Sequence, residues 1–274
     1  MLALEASRVV PSPARCVPRQ AWRNGSTVLG ERTLAEEVPI AFSYDGTTHA
    51  VLMATPGDLE DFALGFSFTE GIIGSPGEIA ELAVVSVVDG IVLRMWLAGD
   101  PSDEFSARRR RFVGPGGCGM CGLESLAEAN RKIPMANYDF QVTRQDIEEA
   151  VAALPASQPL NMQTRAVHAA AFWRPDQRLI LREDVGRHNA LDKLAGALLR
   201  VSRSAADGVI VLSSRISIEL VQKAGMMGAS VIVGVSAPTA LAVRTAEAVG
   251  LTLVGVARDD GFEVFTHPER ITGN

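Results

Sequence analysis

A chain of 274 residues has room for one large domain or two small ones, and its 47% hydrophobic content excludes a disordered or fibrous protein. The net charge of −6 argues against nucleic acid as a main partner, because phosphate neutralisation needs a basic face. The apolar runs 208–212 and 231–235 are strand-length, well below the ~18 residues of a membrane span, and three cysteines are too few for a disulfide framework.

In chain order, residues 1–25 carry Pro11, Pro13 and Pro18 without periodicity and predict a flexible N-terminal arm. Glu5 and Arg8 interrupt the apolar N-terminal residues, so no signal peptide is expected and the cytoplasm is the expected compartment. Two Asp-Gly dipeptides between apolar runs, Asp45-Gly46 and Asp89-Gly90, predict β-hairpins. Between them Thr55-Pro56-Gly57-Asp58 has capping-box spacing with proline at the first helical position. Leu59, Phe62, Ala63 and Phe66 then share one helical face. Four arginines, Arg108 to Arg111, lead into the cysteine loop 114–122 and a short helix expected over 123–132. Residues 26–140 thus read as a small hairpin-rich α+β domain. Thr143 and Asp146 have capping-box spacing and open a helix over 144–154.

From 141 to 274 strands and helices alternate. Strands are expected over 168–173, 178–182, 209–213, 231–235, 251–257 and 262–266, and helices over 190–200, 216–226 and 240–249. Strands joined by helices of ten residues or so imply parallel pairing, and Val/Ile runs without alternation imply burial on both faces. The fold class is α/β.

The loop Gly116-Gly-Cys-Gly-Met-Cys-Gly is more than half glycine, which packing alone does not require. Cys121 precedes a helix start, where unpaired N–H groups favour a thiolate. An ordinary thiol with pKa ~8.5 is only about 3% ionised at pH 7, so sulfur chemistry needs such a shift. From the residues alone four readings of Cys118 and Cys121 stay open: a persulfide carrier, a dithiol redox pair, half of a zinc site, and two ordinary thiols. The zinc reading lacks further ligands at workable spacing: four histidines are scattered at 49, 168, 188 and 267, and no H-x-E precedes the pair.

Arg182-Glu-Asp-Val-Gly-Arg-His-Asn-Ala-Leu-Asp-Lys concentrates polar groups at a strand-to-helix junction. Ser213-Ser214-Arg215 and Ser236-Ala-Pro-Thr239 precede two further helices on what should be the same sheet edge. Each is read either as a helix cap or as part of a site for a phosphate-bearing ligand, with Ser213, Ser236 and His188 as its candidates. There is no Walker motif and no G-x-G-x-x-G.

Taken together these runs resemble the FdhD family, the sulfurtransferase accessory proteins of formate dehydrogenase. The resemblance spans Glu31 to Ile271 through LAEEVPIAF, MATPGDLEDFALGFSFTEGII, GCGMCG, REDVGRHNALDKL, SSRISIELVQKAG, VSAPTALAV and FTHPER. It implies a homodimer that accepts persulfide sulfur from a cysteine desulfurase. The sulfur then passes to the bis-molybdopterin guanine dinucleotide molybdenum cofactor before that cofactor enters the formate dehydrogenase catalytic subunit. Cys118 matches the persulfide-carrying cysteine and Cys121 its partner. Val256, Ala257, Arg258, Asp259, Asp260 and Gly261 match the stretch implicated in cofactor binding. His188 is a candidate proton donor as oxygen leaves the metal, and Arg108 to Arg111 attract phosphates or form a solvated run. The resemblance also implies that 141–274 is a cytidine-deaminase-like α/β/α domain, with a mixed, largely parallel sheet and no zinc ligands. Two departures stand out: Thr164-Arg165-Ala166 replaces Thr-Gly-Gly, and Arg258-Asp259-Asp260-Gly261 is acidic for a phosphate site. A cofactor-binding chaperone without sulfur transfer and a dithiol oxidoreductase are the alternative functions.

Overall fold

Strand β1 (Ala14–Arg23) pairs antiparallel with β2 (Ser26–Ala35) about Asn24-Gly25, both at positive φ. The arm expected over 1–25 is therefore one strand of a ribbon from Ala14 onward. Asn-Gly is its signal, because the primed turn needs two left-handed residues. The computed structural model describes residues 9–99, 133–136, 139–175, 177 and 179–273. Cys118, Cys121, Arg108 to Arg111 and the helix expected over 123–132 lie outside the described residues.

Next come β3 (Val38–Tyr44), β4 (Thr47–Ala54), α1 (Leu59–Thr69), β5 (Ile79–Val87) and β6 (Gly90–Leu97). They form a four-stranded sheet of order β4-β3-β6-β5 with only β3 and β6 parallel. Period-two alternation places Ile40, Phe42 and Tyr44 of β3, with Ile91, Leu93 and Met95 of β6, on one buried face. Leu59, Phe62, Ala63 and Phe66 of α1 cover that face, as their spacing predicts. The capping box expected at Thr55 and Asp58 does not form. Asp58 is itself the N-cap, at φ 53 and without a side-chain cap bond, and Thr55 is bonded elsewhere.

The second half contains β7 (Val142–Thr143), α2 (Arg144–Ala156), α3 (Pro159–Thr164), β8 (His168–Trp173), β9 (Ile180–Asp184) and α4 (Arg187–Arg200). It continues through β10 (Val209–Leu212), α5 (Ile218–Met226), β11 (Val231–Gly234), α6 (Ala240–Ala248), β12 (Thr252–Arg258), β13 (Gly261–Val264) and β14 (Ile271–Thr272). The capping box at Thr143 is present: its hydroxyl accepts from Asp146 N at 3.0 Å and the Asp146 carboxylate accepts from Thr143 N at 2.9 Å.

The main sheet has the order β13-β12-β11-β10-β8-β9. Strands β10, β11 and β12 are parallel, while the β12–β13, β10–β8 and β8–β9 pairs are antiparallel. The sheet is thus mixed, with antiparallel pairs in the majority and not largely parallel as expected. The parallel rule holds for helix-linked β10 to β12, but β9 and β13 each enter from a hairpin. Val209, Val211, Val231 and Val233 pack against α2, and Ile210, Leu212 and Ile232 against α4, α5 and α6. Both faces are buried, which explains the unbroken apolar runs.

The halves meet where α1 crosses α4. A Cβ on Gly65 would lie 1.7 Å from the Asp192 carbonyl oxygen, and one on Gly196 1.8 Å from that of Asp61. Only glycine permits this backbone approach.

Candidate functional site

The run 182–194 divides between two environments. On one side it fastens the halves together. Asp184, fully buried, pairs with Lys193 at 2.7 Å and accepts from Thr55 N, Gly186 N and Asn189 Nδ2. Lys193 Nζ also donates to Thr55 O, and Thr55 Oγ1 accepts from Val185 N. A second buried group joins Lys223 to Asp192 at 2.8 Å and to Glu70 at 2.7 Å, with Thr69 donating to Asp192. Burial alone would push the Lys223 amine down, but the Asp192 and Glu70 carboxylates outweigh it and keep the lysine charged. Arg182 and Arg200 both reach Asp61. Arg182, Asp184, Asn189, Asp192 and Lys193 are therefore structural, and so is Thr55.

On the other side, Arg187 and His188 stand at the start of α4, on the edge where β9, β10 and β11 end and β8 begins. Ser217 and Glu219 at the start of α5 complete the cluster. His188 Nε2 lies 3.4 Å from Ser217 Oγ and 3.8 Å from Glu219 Oε2. Burial, then the charges of Arg187 and Lys223, pull the His188 pKa down to about 4. The imidazole is therefore neutral at pH 7, with one ring nitrogen carrying hydrogen and the other free to accept. His168 is lowered as well, first by burial and then by Arg187. Burial would raise the Glu219 carboxyl, but hydrogen bonds from Ser217 and its own backbone N–H, with His188 and Arg187 close by, hold it below the ordinary range. Arg187 Nε and Glu219 Oε2 are buried without a hydrogen-bond partner among the described residues. An unpaired buried donor and acceptor in one cluster suit a polar ligand.

The other expected residues fall along the same edge with different fates. Ser213 extends the β10–β8 ladder: its N–H donates to Ala169 O at 3.0 Å and its hydroxyl accepts from Ala169 N at 2.7 Å. The Ser236 carbonyl accepts from Val256 N at 3.3 Å, which brings the β11 and β12 ends together. Val256 sits at φ 52 within a register shift between Gly255 and Arg258, a costly conformation for a β-branched residue. Ala257 is buried, while Arg258, Asp259 and Asp260 are exposed at the turn that Gly261 closes. Ser217, Glu219 and His168 were not singled out from sequence: a lone serine or glutamate at a helix start looks like a cap.

Compared with known proteins, residues 35–272 match the profile of the FdhD/NarQ family. The chain belongs to that family. The sulfur carrier protein FdhD of Agrobacterium fabrum is 49% identical over 264 residues, 96% of this chain and 97% of its own. That of Brucella abortus is 50% identical over 260 residues, covering 94% and 97%. A crystal structure described as a formate dehydrogenase accessory protein from Desulfotalea psychrophila superposes with a TM-score of 0.74 at 26% identity, covering 94% of this chain and 99% of that one. With the family established, the Thr164-Arg165-Ala166 departure has a structural meaning. Arg165 ends α3 at φ 57, in the left-handed region that glycine occupies without strain.

Proposed function

We propose that the protein is a sulfur carrier in formate dehydrogenase maturation, taking sulfur from a cysteine desulfurase and delivering it to the bis-molybdopterin guanine dinucleotide molybdenum cofactor. The observation that carries this reading is the nearly full-length match to relatives named sulfur carrier protein FdhD. In the first step the Cys118 thiolate attacks the outer sulfur of the desulfurase persulfide. A new Cys118 persulfide forms and the desulfurase cysteine leaves as its thiolate. In the second step Cys121 attacks Cys118 Sγ, the bond to the outer sulfur breaks, and hydrosulfide departs for the metal. The Cys118–Cys121 disulfide left behind holds the two-electron oxidation, and a cellular dithiol reduces it.

The cofactor is cargo, bound along the edge described above. Arg187, the N–H groups at the start of α4, and Arg258 supply donors for its phosphates, and Ser236 and Val256 set the shape of the adjoining wall. Asp259 and Asp260 oppose anion binding at the turn itself, which favours contact nearer Arg187. Neutral His188 serves as a hydrogen-bond partner to the cargo. The mixed sheet with helices on both faces supports a cytidine-deaminase-like reading of this domain. The setting is the cytoplasm, with the desulfurase and the formate dehydrogenase catalytic subunit as partners of a homodimer; no described helix is long and apolar enough to cross a membrane.

The test is peptide mass spectrometry after incubation with a cysteine desulfurase and cysteine. The expected result is one added sulfur on the Cys118–Cys121 peptide, removed by reductant and lost in Cys118→Ala. An unmodified loop beside an active desulfurase sinks the relay and leaves a cofactor-binding chaperone.

A further inference from the structure

We propose that the groove along the free edge of β9 takes an extended peptide segment of a partner protein, one that brings a lysine or arginine beside apolar side chains. Strand β9 ends the main sheet and pairs only with β8. The direction of its free groups follows from β8. Ala169 turns its N–H and C=O to Ser213, on the β10 side. Alternation then turns Ala170 towards β9, where it faces Arg182. Leu181 and Glu183, one residue to either side, therefore direct their N–H and C=O groups away from the sheet. Leu181 O accepts from Arg182 Nη1 at 2.7 Å, as that direction requires, and Leu181 N–H has no partner among the described residues.

This edge forms one wall of a groove of about 830 Å³, whose other walls include Pro159, Leu160, Ala197 and Val201. The volume lies within the range of ligand pockets and accommodates a short stretch of extended chain. Open sheet edges are usually blunted by lysine, proline or a bulge, and Leu179-Ile-Leu181 has none of these. A strand laid here gains main-chain hydrogen bonds from Leu181 and Glu183, while its alternate side chains meet the apolar walls.

Charge selects the occupant. Asp58 and Glu183 both face the groove. The two Glu183 oxygens accept backbone N–H groups, from Leu160 at 2.9 Å and Asn161 at 2.7 Å. Burial raises the Glu183 carboxyl, those hydrogen bonds offset part of the rise, and the Asp58 charge raises it again. Arg182 also lines the groove, but its guanidinium is spent on Asp61 at 2.7 Å and on Asp58 at 3.5 Å. A basic side chain entering beside the two carboxylates relieves their repulsion, whereas an acidic one meets like charge. The inference uses neither the cysteines of the sulfur relay nor the cargo edge at Arg187.

The probes are synthetic hexapeptides of alternating valine and serine with one lysine, placed at each position in turn. The full chain is titrated with each by fluorescence anisotropy, and amide hydrogen exchange is followed by NMR. At least one peptide should bind and slow exchange at Leu181 N–H, which exchanges freely in the unliganded protein. Replacing its lysine by glutamate should weaken it, and full N-methylation of its backbone should abolish binding. Asp58→Asn keeps a residue type that tolerates the left-handed φ of 53 and should weaken the peptide about threefold to fivefold. Val201→Trp, at a position 59% exposed on the groove wall, fills the space and should weaken it about tenfold or more. Matching thermal melts verify that both variants fold. The inference is overturned if no hexapeptide binds, if the N-methylated peptide binds as well as its parent, or if both variants bind like the wild type. Slow exchange at Leu181 N–H in the unliganded protein overturns it too, because the chain itself or a second copy would then fill the groove.

Discussion

Two neighbouring regions built from one thirteen-residue run behave oppositely. The seam under α1 uses Asp184, Asn189, Asp192 and Lys193, all buried and all paired. The edge one turn away presents Arg187 and His188 to a cluster whose buried polar atoms are incompletely satisfied. At the seam the polar groups meet partners from the other half of the chain, so they specify how the halves dock. At the edge two buried polar atoms lack hydrogen-bond partners among the described residues, which is what the proposed cargo site uses. Polar density in sequence is thus no guide to function until the partners are known.

The contrast can be broken most severely at the seam. Lys193→Met leaves the Asp184 carboxylate buried without its cation and should cost about 3–5 kcal/mol, read as a lowered urea midpoint. Gly196→Ala places a methyl group 1.8 Å from the Asp61 carbonyl oxygen, so α1 and α4 must separate. A loss of about 1–3 kcal/mol or more is expected, with a lower melting temperature.

The edge responds to pH. His188 has a folded-state pKa of about 4, below its ordinary 6.5. Its contribution to stability is therefore fully present above pH 6.5 and is lost as pH falls towards 4. Comparing urea midpoints at pH 7 and pH 5, the wild type should lose roughly 2 kcal/mol more than His188→Gln does. Equal pH dependence in the two proteins would contradict the neutral, buried imidazole.

Smaller effects sharpen the comparison. Arg165→Gly removes left-handed strain at the end of α3 and should raise stability by up to about 1 kcal/mol, since the gain is partly offset by glycine's freer unfolded chain. Arg187→Ala should shift stability by no more than about 0.5 kcal/mol, because its Nε has no hydrogen-bond partner among the described residues to lose. It should nonetheless lower formate dehydrogenase activation about tenfold or more through weaker cargo binding, with sulfur loading on Cys118 unchanged. A large loss of stability in Arg187→Ala would move that residue from the edge to the seam.

Much of this protein is legible in its sequence because local physics suffices. Alternation in β3 and β6, the helical stripe of Leu59, Phe62 and Phe66, the Thr143 cap and the apolar runs of β10 and β11 each depend on neighbours a few residues away. The family resemblance was equally readable from short runs. Other features needed the assembled fold. Thr55 has the right spacing for a cap, but Asp184, Val185 and Lys193 claim its groups from about 130 residues away. The neutrality of His188 follows from burial beside Arg187 and Lys223, charges supplied by two helices. Gly65 and Gly196 look like weak helix residues until the two backbones touch. Sequence by itself determined the elements, the family and the identity of the reactive cysteines as candidates. Tertiary structure alone decided which polar groups are spent on one another and which remain open, because pairing in a buried site depends on what the distant chain brings to it.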